Sequence, residues 1–329
     1  MVMTEIPQHK KRHHFGWWVF LLAVLCVIVV VVLNRVWIYD WYRGVSYRPT
    51  DEMVNIRNAL DLTSDGKFLF DAAQPALNSA DEFNVNCRKD ESNIAVLGCY
   101  SGGNIYIYDI RTEELDGIRE LTTAHELLHA MWARMGEDEK RELTVVLKKV
   151  YEDNLDILKD DIETYDEGEQ LEEIFVRAGT EVKVLPGELE KYYTEVFNNQ
   201  DRIVEYYDSY ISVFKEIRRR METLLEEMEV LKTKITEAMG TYELQAKQLE
   251  ADVVSFNSCA EVVGCFVDEN DFNNQRANLV ARQSELIATN EWINTMIDEY
   301  NVKVKEYNDN VTESHKLHNK INSNSKVEI

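Results

Sequence analysis

"TTAHELLHAMW", residues 122–132, sets two histidines four positions apart with a glutamate directly after the first. On a helix, positions i and i+4 face the same way, so His125 and His129 can direct both imidazoles at one ion about 2.0–2.1 Å away. Glu126 leaves the helix at a different angle, where it can take a proton from a metal-acidified water instead of binding the metal. Leu127, Leu128, Ala130 and Met131 are uncharged, as expected of a helix beneath a cleft, and Thr122 and Thr123 precede them without charge. The plain alternative is a pair of helix histidines held by ordinary hydrogen bonds. Against it stands the scarcity of histidine: between residues 15 and 314 the chain has only these two.

Upstream, "NIAVLGCYSGGNIYIYDI" (residues 93–110) alternates apolar and polar positions around Gly102-Gly103. The pattern predicts a β-hairpin whose second strand is Asn104 to Ile110. Before it, residues 50–62 read as a helix capped by Thr50 or Asp51, followed by a turn at Asp65-Gly66 and short extended pieces. The histidine helix is expected to run to Gly136. Helical, acidic sequence follows from Asp138 to about Asp166, again in "GEQLEEIFVRAGTEVKVLP" (168–186), and from Glu188 to about Tyr207.

A hairpin leading into a His-Glu-x-x-His helix resembles the zincin metallopeptidases. The resemblance implies one Zn2+ ion, a peptide or protein substrate aligned by β-addition along the last strand, and Glu126 as catalytic base. The metzincin extension is absent, because Trp132 and Met135 stand where that subgroup has glycine and histidine. What remains is similar to the gluzincin branch, whose third metal ligand is a glutamate on a later helix. In this chain Glu173 is the expected ligand, with Glu172 and Glu181 as rivals. No downstream histidine lies near the motif to stabilise an oxyanion, so Tyr192, Tyr193 or Arg177 are the candidate donors. The likeness covers roughly residues 50–205.

Outside that region the sequence carries two further features. "FGWWVFLLAVLCVIVVVVL" (Phe15–Leu33) lacks any charge and roughly matches a bilayer core of ~30 Å. No small-residue cleavage site follows, so an uncleaved anchor over 15–37 is expected, with Trp17, Trp18, Trp37, Tyr39, Trp41 and Tyr42 as interfacial residues. Lys10, Lys11 and Arg12 precede it whereas Arg35 and Arg43 follow, which places residues 1–14 in the cytoplasm and the bulk of the chain outside. Outside the span lie Cys87, Cys99, Cys259 and Cys265, two close pairs that suit disulfides in an exported domain. The net charge of -24 repels phosphate backbones and argues against a nucleic-acid partner.

The second feature is a pair of heptad seams. One runs from Ile217 through Met221, Leu224, Met228, Leu231, Ile235, Ala238 and Tyr242 to a polar Gln245 and then Leu249. The other takes Leu279, Gln283, Leu286, Asn290, Ile293, Ile297, Tyr300, Val304, Tyr307 and Val311. They predict an antiparallel coiled-coil hairpin over 206–322 with a tip loop at 252–272, register fixed in part by Asn290, and a frayed tail at 323–329. The expected fold is α+β, mainly α: a transmembrane helix, a zincin-like domain over 38–205 with a small sheet, then the hairpin arm. Two functions follow from different classes. One is a membrane-anchored extracytoplasmic zinc endopeptidase. The other is a cell-surface scaffold whose arm binds a protein partner and whose zinc site is structural or vestigial.

Overall fold

A computed structural model describes residues 15–87 and 96–323 and divides the chain into two units, residues 1–210 with 321–329 and residues 211–320. The cytoplasmic segment expected at 1–14 lies outside the described residues.

The first unit opens with α1 (Phe15–Leu33) and α2 (Arg35–Ser46), bent by 70° where they meet at Asn34. The bend splits the span expected over 15–37. Among the described residues no single helix is long and apolar enough to cross a membrane, although the bent pair from Trp17 to Ser46 meets that requirement together. Next come α3 (Asp51–Ala59), capped by the Thr50 side chain on the Met53 amide, and α4 (Ser64–Ala73). The turn expected at Asp65-Gly66 is instead the first turn of α4. Gly66 stands there because a Cβ would lie 2.1 Å from the Val196 carbonyl oxygen, so the glycine serves packing and not a turn.

A sheet of three short strands follows: β1 (Ala76–Asn78), β2 (Gly98–Ser101) and β3 (Asn104–Tyr108), with α5 (Ala80–Asn86) between the first two. β2 and β3 form the expected hairpin, and Gly102 and Gly103 both take positive φ at its turn. β1 adds parallel to β3 on the other side, giving the order β1-β3-β2. The strand expected to receive substrate is therefore the central one, its backbone already used on both sides; the outer edge belongs to β2. Ile105 and Ile107 are fully buried, and the Cys87–Cys99 disulfide ties the end of α5 to β2.

Against this sheet lies α6 (Ile118–Trp132), which carries the motif. Gly117 precedes it at φ 85°, where a side chain would be strained. Gly136 does not close the helix in a left-handed cap; it sits in extended conformation before α7 (Glu137–Asp153). Then come α8 (Leu155–Ile162), α9 (Glu167–Glu181) and α10 (Gly187–Val196). The helix expected over 188–207 is interrupted at Phe197, which pairs with Leu62 and ends α10. Ser323, expected in the frayed tail, is buried and exchanges hydrogen bonds with Asn84; residues 324–329 lie outside the described residues.

The second unit is made from α11 (Gln200–Ala260, entering at Ile211) and α12 (Glu269–Ile321). Arg282 meets Asp252, Lys303 meets Glu227, and Ala238 packs with Ile293 and Met296, so residues rising along one helix meet residues falling along the other. The helices are antiparallel. Their contact stripes differ from the expected ones: Ala246 replaces Gln245, and Arg282 and Thr289 replace Gln283 and Asn290, which are exposed. From Ala238 to Leu249 the stripe steps four, four and three where the heptad reading steps four, three and four, so the two part only between Tyr242 and Leu249. The connection is shorter than 252–272. It carries the Cys259–Cys265 disulfide beside three mutually packed rings, Phe256, Phe266 and Phe272.

Within the first unit α2 is held by charge. Arg134, just past α6, donates to both oxygens of buried Asp40 at 2.8 and 2.9 Å and to the Tyr100 hydroxyl at 2.9 Å. Removing one partner of such a pair strands the other charge, which costs about 3 kcal/mol where burial is nearly complete. Asp40→Ala is accordingly expected to lower the thermal midpoint of the first unit by about 6–12 °C. Thermal unfolding of the intact chain measures it, and an unchanged midpoint would reduce the pair to an ordinary surface contact.

Candidate metal centre

From Leu121 to Trp132 every residue of α6 is buried except His125 and His129. The helix is clamped on its other faces by the sheet and by α9, so solvent reaches it only where the two imidazoles stand. The close approach of α9 rests on Gly179, where a Cβ would fall 2.6 Å from Leu128 and 2.5 Å from the Tyr193 ring. Trp132, Phe175 and Tyr193 fill the same seam, with ring centroids 5.2 Å apart at each step.

This packing brings Glu173 under the histidines. Its Oε1 lies 3.6 Å from His125 Nε2, and its Oε2 lies 3.4 Å from His129 Nε2. A tetrahedral ion bound at about 2.1 Å has its ligand atoms about 3.4 Å apart, so these separations suit a shared ion. One donor atom from each of the three residues falls within 4.8 Å of the others. Two imidazoles and a carboxylate, with the carboxylate 2 % exposed, form a group that could hold a metal ion.

The rivals for the third position have other tasks. Glu172 accepts a 2.7 Å hydrogen bond from His129 Nδ1, which orients the ring with Nε2 facing the cluster. Glu181 pairs with Arg177 at 2.8 Å. Arg177 also donates to Glu173 at 2.6 Å, so of the three expected oxyanion donors it is the one that touches the cluster. Tyr193 gives its hydroxyl to the Phe175 carbonyl at 2.6 Å, and Tyr192 gives its own to Glu139. Helical sequence alone could not show which face of α10 these rings take. Tyr165, which the sequence reading passed over, hydrogen-bonds Arg177 and feels the charges of Glu173 and Glu126. Its only signal in the sequence is its place just before α9.

Glu126 is buried against β2. The Tyr100 amide donates to its carboxylate, and Gly98 leaves the space it occupies: a Cβ there would lie 2.7 Å from Glu126 Oε1. Tyr108 donates to the Leu97 carbonyl, so in this antiparallel ladder Gly98 and Tyr100 turn their backbone groups away from β3, and the Tyr100 amide meets Glu126. Burial pushes the Glu126 carboxyl up to about 7, with the positive His129 opposing and the negative Glu173 adding. Burial also drives the His125 imidazole down. For His129 burial acts the same way but is outweighed by the hydrogen bonds to Glu172 and Glu173, which lift it above its usual range. Burial would raise Glu173, yet His125, the His129 bond and Arg177 hold it well below the ordinary carboxylate range.

Removing the Glu172 carboxylate charge frees the His129 ring and lowers its basicity. Glu172→Gln is expected to weaken Zn2+ binding by about 10- to 100-fold, read by competition with a chelating dye. An unchanged affinity would mean that the 2.7 Å contact does not orient the ligand.

No family model, curated protein or solved structure matches the chain, so its chemistry is argued from these side chains alone.

Proposed function

We propose that the chain is a zinc-dependent endopeptidase of the gluzincin type. It is anchored by α1 with its N-terminus in the cytoplasm, and it works on peptide or protein substrates outside. The observation that carries the reading is the meeting of His125, His129 and Glu173 at ligand separations, beside a buried carboxylate on the same helix that is tuned to about 7. A structural metal site has no use for that fourth group, whereas hydrolysis needs a base poised near neutrality. When bound, the metal supplies Lewis acidity, polarising the scissile carbonyl and making water a better nucleophile at neutral pH.

The protein's own residues do the rest. Glu126 takes the proton from the attacking water and passes it to the departing amine. On the outer side of β2 the Tyr100 carbonyl is the group to which an extended substrate can pair, since the Tyr100 amide serves Glu126 and Gly98 is buried; the sequence reading gave this part to the strand at 104–110. Arg177 and Tyr165 are the donors near the cluster that can meet negative charge on the carbonyl oxygen.

A specific observation favours a role for the arm as well. At the α11–α12 tip Val262 and Val263 stand exposed on a loop closed by a disulfide, and Val267 stands exposed just past it. We read the pair of helices as a coiled-coil hairpin that presents this tip to a protein partner, with the scaffold function as the second reading.

Two variants test the enzyme. Glu126→Gln is expected to keep zinc and lose on the order of 10^2- to 10^4-fold in peptide hydrolysis. In the native chain, activity should climb with pH as Glu126 loses its proton, with its acid limb at or below about 7, since a nearby cation lowers it further. Equal hydrolysis by both forms, or a native chain that binds no metal, removes the enzyme reading. Gly98→Ala should displace Glu126 while sparing the three ligands, cutting hydrolysis on the order of 100-fold with zinc affinity little changed. Should both fall together, the strand supports the fold and not the base.

A further inference from the structure

α2 is amphipathic in the wrong direction for water. Two of its three charged residues, Asp40 and Arg43, point into the protein: Asp40 is 5 % exposed and bound by Arg134, and Arg43 donates to the Ala72 carbonyl, the Gly103 carbonyl and Asn104. Gly44 lies against Asp71, and Trp37 stacks on Phe68 at 6.2 Å. These positions, at i, i+3, i+6 and i+7 from Trp37, form one stripe on the helix. Apart from exposed Arg35 where α2 begins and Ser46 where it ends, the other faces are apolar or aromatic. Val36, Trp41, Tyr42 and Val45 are between 52 % and 67 % exposed, with Tyr39 beside them. A face of this size and composition, rich in Trp and Tyr, is what the boundary between lipid and water selects.

Continuity with α1, the proposed anchor, says what covers it. The 19 uncharged residues of α1 span about 28 Å as a helix, just short of a ~30 Å hydrocarbon core. The bend of 70° then lays α2 about 20° from the membrane plane when α1 stands along the normal. Its aromatic face meets the headgroup region, and its ionic stripe meets the folded unit.

We propose that α2 is an interfacial helix built into the first unit, pressing that unit onto the bilayer surface, so that the cluster on α6 acts on peptide bonds held close to the lipid. The second half rests on the peptidase reading. The height of the site follows from the clamp: Arg134, which grips Asp40, stands about 8 Å along the α6 axis from His129. Arg134 also holds Tyr100, and Tyr100 donates its amide to Glu126, so one side chain joins the membrane-facing helix to the strand beside the base. The substrate class is therefore the stretch of a membrane-anchored or membrane-bound polypeptide just outside the lipid. A freely diffusing soluble protein is a poor substrate for such a site.

The test uses the full chain in phosphatidylcholine nanodiscs, with Cys26, the one unpaired cysteine among the described residues, replaced by serine. Spin labels are placed singly at Trp41→Cys, Tyr42→Cys and Val45→Cys, with Val145→Cys and Val184→Cys as exposed controls on the same unit. Labels on α2 are expected to relax with oxygen and to be shielded from a water-soluble nickel chelate, and the controls to show the reverse. Labels as open to the chelate as the controls overturn the placement, and so do labels shielded from both reagents, which would mean a second copy of the chain covers the face. In the second arm, one peptide is tethered to lipid on stiff helical spacers that set the scissile bond at increasing height. Hydrolysis should drop about tenfold or more between roughly 15 Å and 60 Å, beyond what a docked site can reach. A rate independent of height overturns the restriction. Absence of hydrolysis at every height overturns the peptidase reading and its substrate class together, while the spin labels decide the position of α2 on their own.

Discussion

Four ionisable side chains, His125, Glu126, His129 and Glu173, come together where α6, α9 and β2 meet, and their mutual electrostatics constrain what surrounds them. Two carboxylates this close repel each other in a low dielectric, and each loses its hydration. The fold answers with opposite charge and donors brought from distant positions. Arg177 and the His129 ring neutralise Glu173, and the Tyr100 amide supports Glu126. The two acids end with opposite behaviour, one held ionised and the other raised to about 7. That divergence is what the proposed ligand and the proposed base need in order to stand side by side.

Glycine does much of the positioning. Gly179 lets α9 close on α6, and Gly98 lets the backbone of β2 close on Glu126; in both places a methyl group would overlap an atom at less than 3 Å. Neither lies in a turn. They act through what they omit, and the cluster occupies the space. Arg134 extends the same logic outward by tying α2, β2 and the end of α6 into one ionic joint. An exposed aromatic helix and a buried chemical cluster thus become parts of one rigid unit.

Much of this was legible residue by residue. The i, i+4 spacing of His125 and His129 needs only a helix to become geometry. The choice of Glu173 over Glu172 and Glu181 was open in the sequence, since all three lie on one acidic helix and each could pair with a base. The structure separates them by partner: Glu173 meets the two histidine Nε2 atoms, Glu172 meets His129 Nδ1 and Glu181 meets Arg177. The role of the strand at 104–110 was misplaced because strand pattern says nothing about neighbours; β1, three residues long and without alternation, takes the far side of β3. In the arm, the apolar repeat tempted a strict heptad, while the real stripe shifts by one residue to admit Ala246 and Arg282.

What the sequence determined by itself is whatever depends on short-range covalent spacing. The histidine pair, the β2–β3 turn at Gly102-Gly103, the cap at Thr50 and the nearness of each cysteine pair all follow from local backbone geometry. Only the tertiary structure decided which glutamate joins the histidines, which strand is the edge and that Asp40 turns inward from an aromatic helix. These outcomes depend on contacts between residues far apart along the chain. There the free energy lies in burying and pairing charge, and no local pattern records which partner will be present.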